Sequence, residues 1–300
     1  MNQVKQIARD VVRIPVKIGN CYLAGNRDNW VLLDAGTKGN AERIRKIAEE
    51  HFGRNSRPEA IVLTHGHFDH AGSAGALAAY WNVEIFAHRL ELPYLTGQSK
   101  YPPPDPTVGG FMANMIRFFP NRTYDYSNLM QELPIPYAPA MSDWRILETP
   151  GHTPGHVSFF REEDGVLLAG DAFCTVNQDS AIAMMTMKPE ISLPPTYYTP
   201  DWESAYDSVV RLSELEPEVI GAGHGEPMSG DEARDGLHRL AEEWPQPAKG
   251  RYVNQPARAD TSGVIYLPPP ATDPVKWITV GLATAGVVGA GVLLRRRKAA

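Results

Sequence analysis

The spacing of apolar positions in the first sixty residues changes from that of strands to that of a helix. Short apolar runs at residues 11–16, 21–24 and 30–34 are broken by Gly and Asn, a pattern that predicts a β-meander. Residues 40–52 instead place apolar side chains at helical spacing behind Asn40, a residue type favoured at helix N-termini. The chain therefore opens as a sheet with a helix packed on one face.

The same two spacings recur along the rest of the chain. Apolar runs typical of strands occupy residues 61–63, 83–87 and 144–147, and further apolar segments occupy residues 165–171 and 219–224. Residues 71–80 and 201–210 predict helices. Regular elements therefore cover most of the chain outside two long segments.

Those two segments interrupt the pattern. Residues 89–143 contain nine prolines and many aromatics, and residues 172–200 contain Met184, Met185 and two tyrosines. Prolines in this number preclude a long regular element, and the aromatic side chains favour a packed cap. We therefore predict two capping insertions over a cleft. A short helix at 111–119 would either line an apolar pocket or only tie the cap to the body.

Side chains that bind metals follow the apolar runs. The loop directly after residues 61–63 contains His65, His67, Asp69 and His70. Side chains alternate along an extended backbone, so the first two can point the same way while the others swing round in the following turn. Neutral imidazole and carboxylate are ligands that Zn²⁺ and similar cations prefer. The loop predicts two adjacent metal pockets, although a His-rich surface loop would have the same composition.

Three further residues, His152, Asp171 and His224, favour the metal interpretation. Each follows its own apolar segment and lies directly beside a glycine. A chance cluster of histidines would not be completed in this way. His51 and His88 stand outside these motifs, and we expect both to be exposed.

The histidine loop and the segments that contain His152, Asp171 and His224 resemble, in this order, the motifs of the metallo-β-lactamase-fold hydrolase superfamily. Residues Leu32–Gly36 are similar to the first motif of that family. The resemblance covers roughly residues 10–240. It implies an α/β fold, the four-layer αββα metallo-β-lactamase sandwich, over residues 1–245, with 89–143 and 172–200 as capping insertions. Such motifs are specific for the fold and far less so for one activity.

The resemblance also implies a ligand set and a cofactor. One metal would bind His65, His67 and His152, a second would bind Asp69, His70 and His224, and Asp171 would bridge the two. Asp34 would hydrogen-bond to the histidine loop and steady it. The implied cofactor is two Zn²⁺ ions per chain, with Fe or Mn as alternatives.

The implied reaction is hydrolysis by a hydroxide on the zinc pair, because Zn²⁺ lowers the pKa of a bound water to about 7. Asp69 would orient this hydroxide and move its proton. Tyr197 and Tyr198 are candidate donors to the developing oxyanion. The predicted enzyme is a hydrolase that cleaves an ester, thioester or lactone carbonyl of a small apolar substrate, similar to lactonases and glyoxalase II.

Two alternatives to this function remain open. The same fold binds iron in sulfur dioxygenases, so an iron-dependent oxidoreductase of that type is one, and a non-catalytic membrane-anchored module is the other. Glutathione thioesters are disfavoured, because glyoxalase II-like thioesterases carry a basic C-terminal domain. The corresponding region here includes Asp231, Glu232, Glu242 and Glu243.

Composition and net charge limit the classes of molecule that the protein is expected to bind. Hydrophobic residues make up 43% of the 300-residue chain and charged residues 21%, which is ordinary for a globular protein with one large domain. The formal net charge is −6 and no basic cluster precedes residue 295, so we expect a small-molecule substrate and no nucleic acid. With only Cys21 and Cys174, no disulfide framework is predicted and a reducing compartment is expected.

The C-terminal residues predict a linker and a membrane anchor. Residues 246–274 are rich in proline, 275–295 include the uncharged stretch 278–294, and 296–300 form a basic tail. A homo-oligomer could form through the small residues Gly281, Ala285 and Gly289. The N-terminus lacks the apolar core of a secretory signal. We therefore expect a single-pass C-terminal anchor with the catalytic domain in the cytoplasm, although the positive-inside rule favours the opposite orientation.

Overall fold

The computed structural model describes residues 3–119 and 124–273. The chain divides into two compact units, residues 1–268 and 269–300. Every helix and strand named below belongs to the first unit.

The strands form two sheets and one hairpin. The first sheet contains β1 (Lys5–Ala8), β2 (Val11–Pro15), β3 (Asn20–Asn26), β4 (Asn29–Leu33), β5 (Ala60–Val62), β6 (Ile85–Ala87) and β7 (Met130–Glu132). The second contains β8 (Arg145–Glu148), β9 (Val157–Arg161), β10 (Val166–Gly170), β11 (Val219–Ala222) and β12 (Met228–Ser229). The hairpin pairs β13 (Arg258–Asp260) with β14 (Gly263–Tyr266).

Strand order is simple in both sheets. The first sheet runs in sequence order, with antiparallel pairs up to β4 and parallel pairs from β4 to β7. The second has the order β12-β11-β10-β9-β8, and only β10 and β11 are parallel. The described α-helices are α1 (Ala41–Phe52), α2 (Phe68–Ala71), α3 (Ala74–Trp81), α4 (Leu92–Leu95), α5 (Phe111–Met115), α6 (Ala181–Thr186), α7 (Trp202–Ser213) and α8 (Gly230–Glu243).

Alternating side chains divide each sheet between two cores. In β4, Leu32 packs in the core that contains α1 and α3, whereas Leu33 packs in the core between the sheets. In β10, Leu168 faces the core between the sheets and Leu167 faces α7 and α8. The result is the four-layer αββα arrangement that the sequence predicts.

The parallel strand pairs bring the predicted ligand loops to one place. β5 ends at Val62 and the histidine loop follows, while β10 and β11 end at Gly170 and Ala222, just before Asp171 and His224. Carboxyl ends of parallel strands lie at the same edge of a sheet. The ligand loops of both sheets therefore meet at one end of the sandwich.

The two predicted insertions are only partly irregular. Residues 89–143 contain α4, α5 and strand β7, which extends the first sheet where the sequence predicted no strand. Helix α5 continues as a 3₁₀ turn, Ile116–Phe118. Ala113 and Ile116 pack with Tyr197 of the second insertion, so this helical segment ties the two insertions together.

The prediction of a C-terminal transmembrane helix was wrong. The predictions of a membrane partner and of a membrane localisation depended on that helix and were wrong as well. No helix within residues 3–119 and 124–273 is long and apolar enough to cross a membrane. The longest described helix, α8, has 14 residues and spans about 21 Å, whereas a bilayer core requires about 30 Å. The stretch 278–294, with the oligomer residues Gly281, Ala285 and Gly289, lies outside the described residues.

Residues 246–268, which the sequence placed in a linker, belong to the first compact unit. They contain the hairpin β13–β14. Tyr252 is buried, and its hydroxyl donates to the carbonyl of Pro103 at 2.7 Å. This segment therefore packs on the first insertion, while the predicted boundary at residue 245 stays a prediction.

Candidate metal centre

The histidine loop owes its shape to a change of backbone from strand to helix. After β5 the chain is still extended at His67, which has φ −62° and ψ 157°. The carbonyl of His67 then accepts the N–H groups of His70 and Ala71 at 3.0 and 2.9 Å, which starts α2. This single helical turn reverses the chain, so Asp69 and His70 come back toward the histidines that precede them.

Three imidazole nitrogens from two loops form the first group of candidate ligands. His67 Nδ1 lies 3.0 Å from His65 Nε2 and 2.9 Å from His152 Nε2. The third ring comes from the loop between β8 and β9 of the other sheet. All three side chains are buried. One ring nitrogen of each is therefore directed at the same small space.

A second group consists of Asp69, His70 and His224. The Nε2 atom of His224 lies 3.6 Å from Asp69 Oδ2. Asp171 Oδ2 lies between the groups, 3.2 Å from His224 Nε2 and 3.4 Å from Nε2 of both His70 and His152. The structure thus brings together all seven residues that the sequence singled out as ligands.

The cluster leaves buried polar atoms without a protein partner. His70 Nε2 and Asp171 Oδ1 have no hydrogen-bond partner among the described residues. Burial lowers the pKa of His67 to about 3 and lowers the pKa of His65 and His152 well below the usual value, so these rings are neutral. Buried polar atoms without a partner, close to several converging imidazole nitrogens, are costly unless a cation binds there. The donor set therefore fits metal ions and suggests a dinuclear metal site.

Opposite charges compensate each other around the shared carboxylate of Asp171. Burial would raise the pKa of Asp171, but the charges of His224 and His70 outweigh it and hold that pKa well below its usual value. Burial would likewise lower the pKa of His70, but the carboxylates of Asp171 and Asp34 raise it well above its usual value. The shared carboxylate is therefore ionised, which is the form that binds a metal.

Asp34 holds the histidine loop from below. Its Oδ2 lies 2.8 Å from His70 Nδ1 and also accepts the Thr64 hydroxyl at 2.8 Å, while its Oδ1 accepts the Thr64 N–H at 2.9 Å. When a metal ion replaces the proton on Nε2, this contact would hold the remaining ring proton of His70 on Nδ1 and keep Nε2 directed at the cluster. These are the contacts expected of the steadying role predicted from the sequence.

Sequence reasoning gave no role to His156, which lies behind the shared carboxylate. Its Nε2 accepts the backbone N–H of Asp171 at 2.9 Å, and its Nδ1 lies 2.8 Å from the Thr149 hydroxyl. Burial lowers its pKa to about 4. The repeated Thr-Pro-Gly-His of residues 149–156 was the available signal.

Two buried residues were also missed, His88 directly before the first insertion and Glu91 within it. His88 is 4% exposed and its Nε2 lies 2.9 Å from Glu148 Oε1, so the expectation that it is exposed was wrong. Glu91 is fully buried and accepts the N–H groups of Gly66 and Gly155 at 3.0 and 2.8 Å. Burial raises the pKa of Glu91. No spacing in the proline-rich segment distinguishes either residue.

The two candidate tyrosines are differently placed. Tyr197 is buried and its hydroxyl donates to Gln178 Oε1 at 2.9 Å. Tyr198 is half-buried, and its ring centroid lies 4.6 Å from that of His67. Of these two candidates, Tyr198 is the one whose ring contacts a candidate ligand.

The insertions carry several large apolar side chains, one of which contacts the histidine loop. Phe119 lies 6.1 Å from Phe68 of the histidine loop, measured between ring centroids. The backbone N–H of Phe111 donates to the carbonyl of Asp179, which places α5 beside the start of α6. Phe118, Ile182 and Met185 are 79, 74 and 81% exposed. The predicted cap therefore presents apolar groups to solvent.

Known proteins share this sequence pattern and this fold. A family model described as the metallo-beta-lactamase superfamily matches residues 14–224. The "Probable metallo-hydrolase YflN" of Bacillus subtilis is 40% identical over 241 residues, which are 79% of this chain and 91% of that protein. The "Hydroxyacylglutathione hydrolase GloC" of Haemophilus influenzae is 31% identical over 153 residues, which are 51% of this chain and 65% of that protein.

A solved structure shares the fold. TTHA1623, crystallised in a di-iron-bound form, superposes with a TM-score of 0.51 at 23% identity and covers 77% of this chain and 96% of its own. At this level of identity the likeness concerns the fold alone.

Proposed function

The chain belongs to the metallo-beta-lactamase superfamily and is a hydrolase of that fold, and we propose that it uses two zinc ions to hydrolyse an ester, thioester or lactone. One observation carries the proposal, namely that Asp171 Oδ2 lies between two groups of buried ligand atoms. We assign one ion to His65, His67 and His152 and the other to Asp69, His70 and His224, with Asp171 shared. Imidazole donors favour zinc over harder cations such as Mg²⁺.

The zinc pair, when bound, would lower the pKa of a water toward about 7 and polarise the substrate carbonyl. Asp69 is the residue to move the proton. Its side chain is 12% exposed and lies at the His224 end of the cluster, and burial raises its pKa. Asp69 would take the proton that the attacking water loses and pass it to the leaving oxygen or sulfur as the C–O or C–S bond breaks.

Two further residues have proposed roles around this step. Tyr198, beside His67, would donate a hydrogen bond to the oxygen on which negative charge develops. Tyr197 already donates to Gln178, so we assign it to the support of the cap. Asp34 would keep His70 in the tautomer and orientation that binding requires.

We propose that the protein recognises an apolar acyl group of the substrate. The exposed side chains of Phe118, Ile182 and Met185 lie on the two insertions. The same insertions contain Tyr198 and also Phe119, whose ring lies near that of Phe68. Thioesters stay in the proposal because one relative is named a hydroxyacylglutathione hydrolase, although the match covers 51% of this chain.

Metal analysis and a substrate panel test this function. We expect the purified protein to contain about two zinc ions per chain, and hydrolysis of acyl esters, thioesters or lactones to stop with a chelator and return with Zn²⁺. Metal removal should also lower the midpoint of thermal unfolding, since a ligand that binds only the folded state stabilises it. A single iron with oxygen uptake on persulfides would instead support the dioxygenase alternative.

A further inference from the structure

A buried carboxylate outside the predicted ligand set connects the two loops that supply the first ligand group. Glu91 Oε2 accepts the N–H of Gly66 at 3.0 Å, and its Oε1 accepts the N–H of Gly155 at 2.8 Å. Gly66 separates His65 from His67, and Gly155 belongs to the loop that contains His152. Each oxygen of one carboxylate is therefore bonded to a different ligand loop.

Tyr101 adds to this connection. Its hydroxyl donates to Glu91 Oε2 and accepts the N–H of Gly66 at 2.9 Å. Its ring centroid lies 4.6 Å from that of His67 and 4.0 Å from that of Tyr94, on which it stacks. Tyr101 thus contacts both a ligand ring and the carboxylate that holds the ligand loop.

The approach requires glycine on both loops. A Cβ atom at Gly66 would lie 2.5 Å from the Tyr101 hydroxyl, and one at Gly155 would lie 2.7 Å from His88 Nδ1 and 2.9 Å from Glu91 Oε1. These distances are shorter than real Cβ contacts, so a larger residue would displace Tyr101 at the first position and His88 or Glu91 at the second. The two glycines let the carboxylate reach the backbone of each loop.

We propose that Glu91 and Tyr101 are positioning residues that set the separation of the two loops and hence the geometry of the first metal group, an inference that rests on the proposed metal site. His67 Nδ1 and His152 Nε2 lie 2.9 Å apart, although the two residues are 85 positions apart in the sequence. The bond from the N–H of Val157 to the carbonyl of Thr64, at 3.0 Å, connects the loops elsewhere. Glu91 makes the second connection, nearer the ligands.

A carboxylate suits this place because it only accepts hydrogen bonds, and three donors converge on it. Glutamine has nearly the same size but would turn an N–H₂ group toward one of those donors. Glu91→Gln therefore changes the polarity of one contact without opening a cavity, whereas Tyr101→Phe removes one hydroxyl and keeps the stacked ring.

Competition of Zn²⁺ with a chromogenic chelator measures the effect on the two ions separately. We expect Glu91→Gln to weaken one of them by about 10–100-fold and to leave the other within about threefold, because loss of an outer partner commonly costs that much affinity. Tyr101→Phe should weaken the same ion by about 3–10-fold. In the Co²⁺-substituted proteins, the absorption bands of one ion should shift.

Tyr94→Phe is the matched control, since its buried hydroxyl has no hydrogen-bond partner among the described residues, and it should leave both affinities unchanged. Wild-type affinities in Glu91→Gln, with only the thermal midpoint lowered, would overturn the proposal. Equal effects of Tyr101→Phe and Tyr94→Phe on the zinc affinity would also overturn it. If Glu91→Gln does not fold, the comparison of these two tyrosine variants tests the proposal. A wild-type protein that binds no zinc would overturn the proposed function first, and so is a distinguishable failure.

Discussion

The seven candidate ligands lie on loops and on the short helix α2, and each of these residues is less than a tenth exposed. The roof, defined as α5, the turn Ile116–Phe118 and α6, instead contains three large apolar residues that are more than 70% exposed. The ligand loops follow strands of two sheets and are held by Asp34, Glu91 and backbone hydrogen bonds. The roof packs through one small cluster around Tyr197.

This difference separates two tasks. Catalytic groups must keep their separations, and buried residues in closely packed loops do so. Apolar groups that receive a substrate can adapt, and partly exposed methionines are flexible enough to fit different acyl groups. Substitutions in the ligand loops should therefore change the rate of every substrate, and substitutions in the roof should change the choice between substrates.

The largest effect is expected in the ligand loops. His67→Ala or Asp171→Ala should lower kcat/KM by on the order of 10³-fold or more for every substrate, because the proposed metal pair would supply several kcal/mol of transition-state stabilisation. Circular dichroism should show a folded protein. His51→Ala, which changes an exposed histidine outside the cluster, should keep wild-type activity. An Asp171→Ala variant with a tenth of wild-type activity would contradict the shared-ligand assignment.

An intermediate effect is expected at Tyr198, whose ring lies beside that of the candidate ligand His67. Tyr198→Phe should lower kcat by on the order of 10²-fold with little change in KM, because an oxyanion donor acts in the transition state. Tyr197→Phe, whose hydroxyl donates to Gln178, is the paired control and should lower kcat only a few-fold. Equal losses in the two variants would mean that both tyrosines act on the packing of the roof.

The smallest effect is expected in the roof itself. Replacing Met184 and Met185 by Ser should raise KM for long-chain acyl substrates by about 3–10-fold and leave short chains unchanged, because each buried CH₂ of the chain is worth about 0.8 kcal/mol. Ile265→Ser, on the exposed hairpin strand β14, serves as the control. A uniform change across chain lengths would place acyl recognition elsewhere.

Errors in the sequence-based picture occurred where local pattern and tertiary position disagree. His88 was expected to be exposed because it matches no motif, yet Glu148 satisfies its ring in a buried position. Residues 130–132 carry no apolar run, yet they pair with β6 as an edge strand. The predicted membrane anchor rested on a stretch of uncharged residues alone, and no described helix supports it.

Residue type and position along the chain were enough to identify the candidate ligands. His65, Asp171 and His224 each follow an apolar segment, and the end of a strand is a local property that spacing reveals. The alternation of Leu32 and Leu33 between two cores is also local, because successive side chains of a strand point to opposite faces. Such local properties marked the strands and the candidate ligand residues, and the family resemblance that they carried predicted the layers.

Only the tertiary structure decided which residues hold those ligands in place. Glu91 bonds to Gly66 and Gly155, 25 and 64 positions away, and His156 bonds to the backbone of Asp171 from the loop that precedes β9. Which loops meet depends on the order of strands and the packing of two sheets, and neither is encoded in the spacing of a single segment. A carboxylate in a proline-rich loop acquires its role only when the fold brings two glycine backbones to its two oxygens.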